Sequence, residues 1–180
     1  MDELFIQNAN SYAAKYNRKL AERLGFGIRG IIFAAEDKLQ GGHSAIKAHR
    51  EDEPYLREKA VYLRLQQVGV GEILEFKVPE LIQTSDELRV IEMSIVRRPF
   101  VLDFAGAYLD APPDFPEEIW NEWESEKQEQ FEGRWEKVRA ILDFLESLEI
   151  YMIWISGNWD KLKIQHEKAS YKEMRIEESK

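Results

Sequence analysis

The sequence predicts an α+β fold, and three observations predict it. Short β-branched runs come first, then one helical stretch, two more strand-like runs and finally long helical patterns, all within 180 residues. That segregated order argues against a regular strand–helix alternation and a doubly wound parallel sheet. Glycine clusters punctuate the first half, where hairpins need them, and hydrophobic residues make up 44% of the chain, enough to build a core.

The elements can be justified in order. From Leu20 to His49 the pattern reads as strands. Ile31-Ile32-Phe33-Ala34-Ala35 is a β-branched apolar run bounded by Gly25, Gly27 and Gly30 before it and by Asp37 to Gly42 after it. Ser44-Ala45-Ile46-Lys47-Ala48 follows as a second strand, with Gln40-Gly41-Gly42 as the hairpin connection. Pro54 sits where the first turn of a helix accepts proline, and Leu56, Ala60 and Leu63 recur at helical spacing, predicting a helix from Pro54 to Gln67 that Gly69 and Gly71 end. Strands are expected around Pro79–Thr84 and Leu88–Val96, with Ser85-Asp86-Glu87 as the turn between them. Beyond Arg97-Arg98-Pro99, the stretch from Ala111 to Pro116 is a loop. The acidic stretch Glu118–Glu132 reads as an exposed helix, and the stripe Trp135, Val138, Ile141, Leu142, Leu145 and Leu148 as a helix covering the underside of the sheet. The tail from His166 is charged and weakly patterned.

Composition narrows the function classes. With 25 basic and 34 acidic residues the formal charge is −9, which repels a phosphate backbone and argues against nucleic acid as a partner. There are no cysteines, so disulfides, thiol catalysis and cysteine-based metal sites are excluded. The histidines His43, His49 and His166 share no metal-ligand spacing. Met1 to Tyr16 does not read as a secretory signal and no apolar run is long enough to span a membrane. The expectation is a soluble, cytoplasmic protein with no membrane partner.

Several segments carry chemistry. Gly25-Phe26-Gly27-Ile28-Arg29-Gly30 fits G-x-G-x-x-G, but a strand follows it where a dinucleotide-binding fold would place a helix. A glycine-rich turn between antiparallel strands lets backbone approach phosphate oxygens closely. One hairpin later stands Ala45-Ile46-Lys47, then Arg57-Glu58-Lys59-Ala60 in the first helix, then Leu88-Arg89-Val90-Ile91-Glu92-Met93. On these residues the chain resembles a protein-kinase-like fold. The resemblance implies a kinase-like N-lobe over residues 1–98, with about five antiparallel strands and one packed helix, followed over residues 99–180 by a truncated helical part. It also implies a cleft for ATP with Mg²⁺. There Gly25, Gly27 and Gly30 cover phosphates, Lys47 holds them, Glu58 orients Lys47, and Glu92 and Met93 receive the base as hinge residues, with Ile91 as gatekeeper. Glu51 and Glu53 stand as alternative partners for Lys47.

The second half departs from the family. Ile141 to Tyr151 resembles the helix leading into the catalytic loop H-R-D-x-x-x-x-N. Placing Asn158 on the family asparagine sets Tyr151, Met152 and Ile153 on the His-Arg-Asp triplet, and an isoleucine cannot accept a proton. No Asp-Phe-Gly occurs in the chain. Asn158 and Asp160 are the candidate metal ligands, and no residue is assigned a catalytic role. The expectation is a pseudokinase-type nucleotide-binding or regulatory module, catalytically inactive and acting through a partner. Two rivals stand beside it. One is an active ATP-dependent phosphotransferase whose site is completed by Asp160 or by a second chain. The other is a pure interaction domain without ligand, associating with a protein partner or as a homodimer through the half that holds Trp120, Trp123, Trp135, Trp154 and Trp159.

Overall fold

The computed structural model describes residues 3–96 and 104–152. The chain opens with helix α1 (Glu3–Lys15), then the strands β1 (Arg18–Gly27), β2 (Gly30–Asp37) and β3 (His43–His49). Helix α2 (Asp52–Gln67) follows, then the two-residue strands β4 (Glu72–Ile73) and β5 (Phe76–Lys77), and the longer β6 (Leu81–Ser85) and β7 (Val90–Ser94). After β8 (Ala107–Leu109) come α3 (Glu117–Phe131), α4 (Trp135–Ser147) and β9 (Ile150–Met152).

The architecture is α+β, as expected. Five antiparallel strands form one sheet in the order β1-β2-β3-β7-β6; β4 pairs with β5, and β8 with β9. Alternation along the strands gives the sheet two apolar faces. In β3 and β7, Ala45, Ile91 and Met93 look toward the core that holds Tyr55, Val61, Tyr62 and Leu65 of α2. Ile46, Ala48 and Val90 look the other way, onto α1.

α1 is an element the sequence reading left out. Its buried residues Phe5, Asn8, Ala9, Tyr12 and Ala13 recur at helical spacing and cover the sheet face opposite α2. α2 starts two residues before the expected Pro54, which is tolerated because a first-turn N–H has no helical acceptor to lose. It ends in a glycine cap: Gly69 takes φ +74°, its N–H donates to Gln66 O, and Val70 N–H donates to Leu65 O at 2.9 Å. Val70 then packs on the core that contains Leu65, the apolar contact that accompanies such a cap.

The stripe of α4 joins the α2-side core. Val138, Ile141, Leu142 and Leu145 are buried with Tyr62, Leu65, Phe104 and Ile150. Arg64 ties these parts together. Its guanidinium donates to Asp110 Oδ1 at 2.6 Å and to the carbonyl oxygens of Leu148 and Glu149 at 3.4 and 3.1 Å. Those carbonyls end α4, where a cation is favoured by the helix dipole. This apolar core draws on residues from Ala45 to Met93 and from Phe104 to Met152; the expected boundary near residue 98 lies outside the described residues.

Candidate functional site

β3 builds the site because period-two alternation places Ala45, Lys47 and His49 on one face, toward α2. Strand register then sets the neighbours. Across β1, β2 and β3, Gly25 lies opposite Ile32, and Ile32 opposite Lys47; Gly27 lies opposite Gly30, and Gly30 opposite His49. The three glycines thus stand in the same cross-strand rows as Lys47 and His49. Ile28 and Arg29 form the turn beyond them, with Ile28 71% exposed.

Helix α2 supplies the acid. Glu58 is 3% exposed, and its Oε2 lies 2.5 Å from Lys47 Nζ and 2.7 Å from His49 Nε2. Burial by itself pushes the Glu58 carboxyl up, but the Lys47 charge and the His49 hydrogen bond outweigh it and hold the group at about 2. Glu58 is therefore a carboxylate, and Nε2 of His49 donates to it. His49 Nδ1 lies 3.3 Å from Arg89 O, which also accepts the His49 backbone N–H at 2.9 Å. The ring is fully buried and meets the edge of Tyr55 at 5.6 Å. Tyr55 in turn donates to Asp86, and Lys59 pairs with the same carboxylate at 2.5 Å. Lys47 pairs with Glu58, and the alternative Glu53 is engaged with Arg57.

Other sequence-derived residues fall elsewhere. Glu92 and Met93 sit in the middle of β7, flanked by β3 on one side and β6 on the other. The Glu92 side chain points into the α1 layer. There it accepts hydrogen bonds from Tyr12 Oη (2.9 Å), Arg18 Nε (2.7 Å) and Ser44 Oγ (2.7 Å). Met93 faces α2 and its sulfur accepts the Tyr62 hydroxyl proton at 3.2 Å. Tyr151 and Met152, set on the first two positions of the catalytic triplet, belong to β9, and Met152 is buried in the core. Asn158 and Asp160 lie outside the described residues. Among the described residues no group of three or more His, Asp or Glu is arranged to hold a metal ion, and no helix is long and apolar enough to cross a membrane.

Sequence reasoning missed His49, which it treated only as a scattered histidine. The signal was present: a residue two positions after Lys47 in a strand shares its face. Gly30 has a structural duty of its own. A β-carbon there would stand 2.2 Å from the carbonyl oxygen of Ala48 in the neighbouring strand. Gly30→Ala is expected to force β2 away from β3 and cost about 1–3 kcal/mol, read as a lower urea midpoint at unchanged slope.

No protein-family model, no curated protein and no solved structure matches the chain. The functional reading rests on this geometry and on the sequence motifs.

Proposed function

We propose that the chain is a kinase-like module of pseudokinase type that binds a nucleotide, without phosphoryl transfer, and acts through a partner in the cytoplasm. One observation carries the reading: Lys47, on the third strand of the sheet, is held by the carboxylate of Glu58 from the following helix and shares its cross-strand rows with the three glycines of the β1–β2 hairpin. Kinase-like folds need these parts together, a lysine ammonium fixed by a helix glutamate beside a glycine hairpin whose bare backbone admits phosphate oxygens. With strands spaced about 4.8 Å apart, the row from Gly25 to Lys47 spans about 10 Å, the size of a di- or triphosphate. Ile153 at the catalytic position and the missing Asp-Phe-Gly support binding without transfer. Mg²⁺ would enter with the phosphates.

Thermal unfolding with and without millimolar ATP and Mg²⁺ tests the reading. Wild type is expected to gain up to about 2.7 kcal/mol of apparent stability at one hundred times the dissociation constant. Lys47→Ala, compared with its own ligand-free midpoint, is expected to gain nothing. A wild-type midpoint unmoved by nucleotide would sink the proposal and leave Lys47–Glu58 as a purely structural pair in an interaction domain. Labelled product in a single-turnover assay would favour the phosphotransferase instead.

A further inference from the structure

The ion pair has a third member that the motif reading does not contain. We propose that His49 is a positioning residue of this site: its Nε2–H holds Glu58 Oε2, so that the carboxylate is fixed against the Lys47 ammonium before any ligand arrives. The functional part of this inference rests on the nucleotide-binding reading; the positioning itself does not.

Three observations converge on it. His49 Nε2 and Lys47 Nζ reach the same oxygen of Glu58, at 2.7 and 2.5 Å, so the helix acid is pinned by two donors from one strand. The ring is held in place, because it is fully buried, the His49 backbone N–H is bonded to Arg89 O, and Tyr55 stands edge-on to the ring. His49 also sits in the row of Gly27 and Gly30, beneath the hairpin that would cover phosphates.

The physical consequence concerns preorganisation. A glutamate held by a lysine alone can rotate with it, and a phosphate that draws the ammonium would then pull the pair apart. With His49 holding the carboxylate, Lys47 can lean toward an anion while Glu58 stays in place. Ordering of the side chains is then complete before binding, and less of the interaction is lost to it. The charged and titratable groups around the ring are Lys47 on its own strand, Glu58 and Tyr55 from α2, and Arg89 before β7 through its carbonyl; Arg89 itself pairs with Asp52.

Two variants separate positioning from packing. His49→Phe keeps a ring beside Tyr55 and removes the donor. His49→Gln loses the ring but carries an amide N–H at the reach of Nε2. The first readout needs no nucleotide: the titration midpoint of the Glu58 side-chain carboxyl, followed by carbon NMR. It is expected to rise by at least one pH unit in His49→Phe from about 2 in the wild type, and to stay low in His49→Gln. An unmoved midpoint in folded His49→Phe overturns the proposal. The second readout is the ATP–Mg²⁺ dissociation constant, expected to weaken about tenfold in His49→Phe and to recover in His49→Gln, a difference of about 1.4 kcal/mol. Equal affinity of wild type and His49→Phe overturns the functional part. If wild type binds no nucleotide, the proposed function fails, and the carboxyl titration alone still decides whether His49 holds Glu58.

Discussion

Glu58→Ala is expected to lose about 3–5 kcal/mol of unfolding free energy, because it removes the buried carboxylate that the Lys47 ammonium and the His49 ring share. The site makes this effect large. Glu58 is 3% exposed, and both Lys47 and His49 donate to the same oxygen. Glu58→Gln keeps an acceptor of the same shape and is expected to lose less. The same residue sets a pH dependence. The Glu58 carboxyl falls from an ordinary 4.5 to about 2 on folding, against burial and because of Lys47 and His49. The unfolded chain therefore takes up the proton first as pH falls. The stabilisation, about 3 kcal/mol at about 1.4 kcal/mol per pH unit, is complete above pH about 4.5 and disappears as pH falls toward 2. Urea midpoints at pH 7, 4 and 3 check this: wild type should weaken across that window more than Glu58→Gln does. Parallel curves for the two would show that Glu58 is not the linked group.

The elements legible in sequence were those with long, unmixed signals. The β-branched run Ile31–Ala35, the glycine-bounded hairpin and the stripe from Trp135 to Leu145 all fold as their periodicity demands. Lys47 and Glu58 were found through their motif, and the reach between them is set by β3 leading directly into α2. What was not legible lacked either length or contrast. α1 mixes Phe5 and Tyr12 with two alanines and an asparagine on its buried face, so its helical spacing carries little hydropathy contrast. β4, β5, β8 and β9 span two or three residues each, too short for any period to show. The face taken by Glu92 was not legible because a strand residue beside an apolar neighbour reads alike on either face until the register is known. A one-residue difference turns a side chain from one layer to the other, and α1, which covers the second face, has too little hydropathy contrast to reveal that layer.

Glu92→Ala is the other substitution expected to have a large effect, about 3 kcal/mol, and its readout is α1. Glu92 is 1% exposed and accepts from Tyr12 of α1, from Arg18 at the start of β1 and from Ser44 of β3, so one carboxylate joins the N-terminal segment to the centre of the sheet. Burial and the neighbouring Glu92 carboxylate push the Tyr12 hydroxyl well above its ordinary range, which keeps it a donor at every accessible pH. Arg18 retains Asp37 as a second partner at 2.5 Å, so its guanidinium is not stranded when Glu92 is removed. The orphaned groups are the Tyr12 and Ser44 hydroxyls, beside a cavity where the carboxylate had been. The remaining contacts of α1 are apolar: Phe5, Ala9, Ala13 and the Tyr12 ring share a cluster with Ile31, Ile46 and Val90. Loss of the polar anchor should therefore let α1 open locally before the sheet unfolds. Amide hydrogen exchange is expected to show faster exchange in Glu3–Lys15 of Glu92→Ala while β3 and β7 stay protected. Protection of α1 equal to wild type would assign its docking to Phe5 and the alanines, and a uniform loss across the sheet would make Glu92 a support of β7 itself.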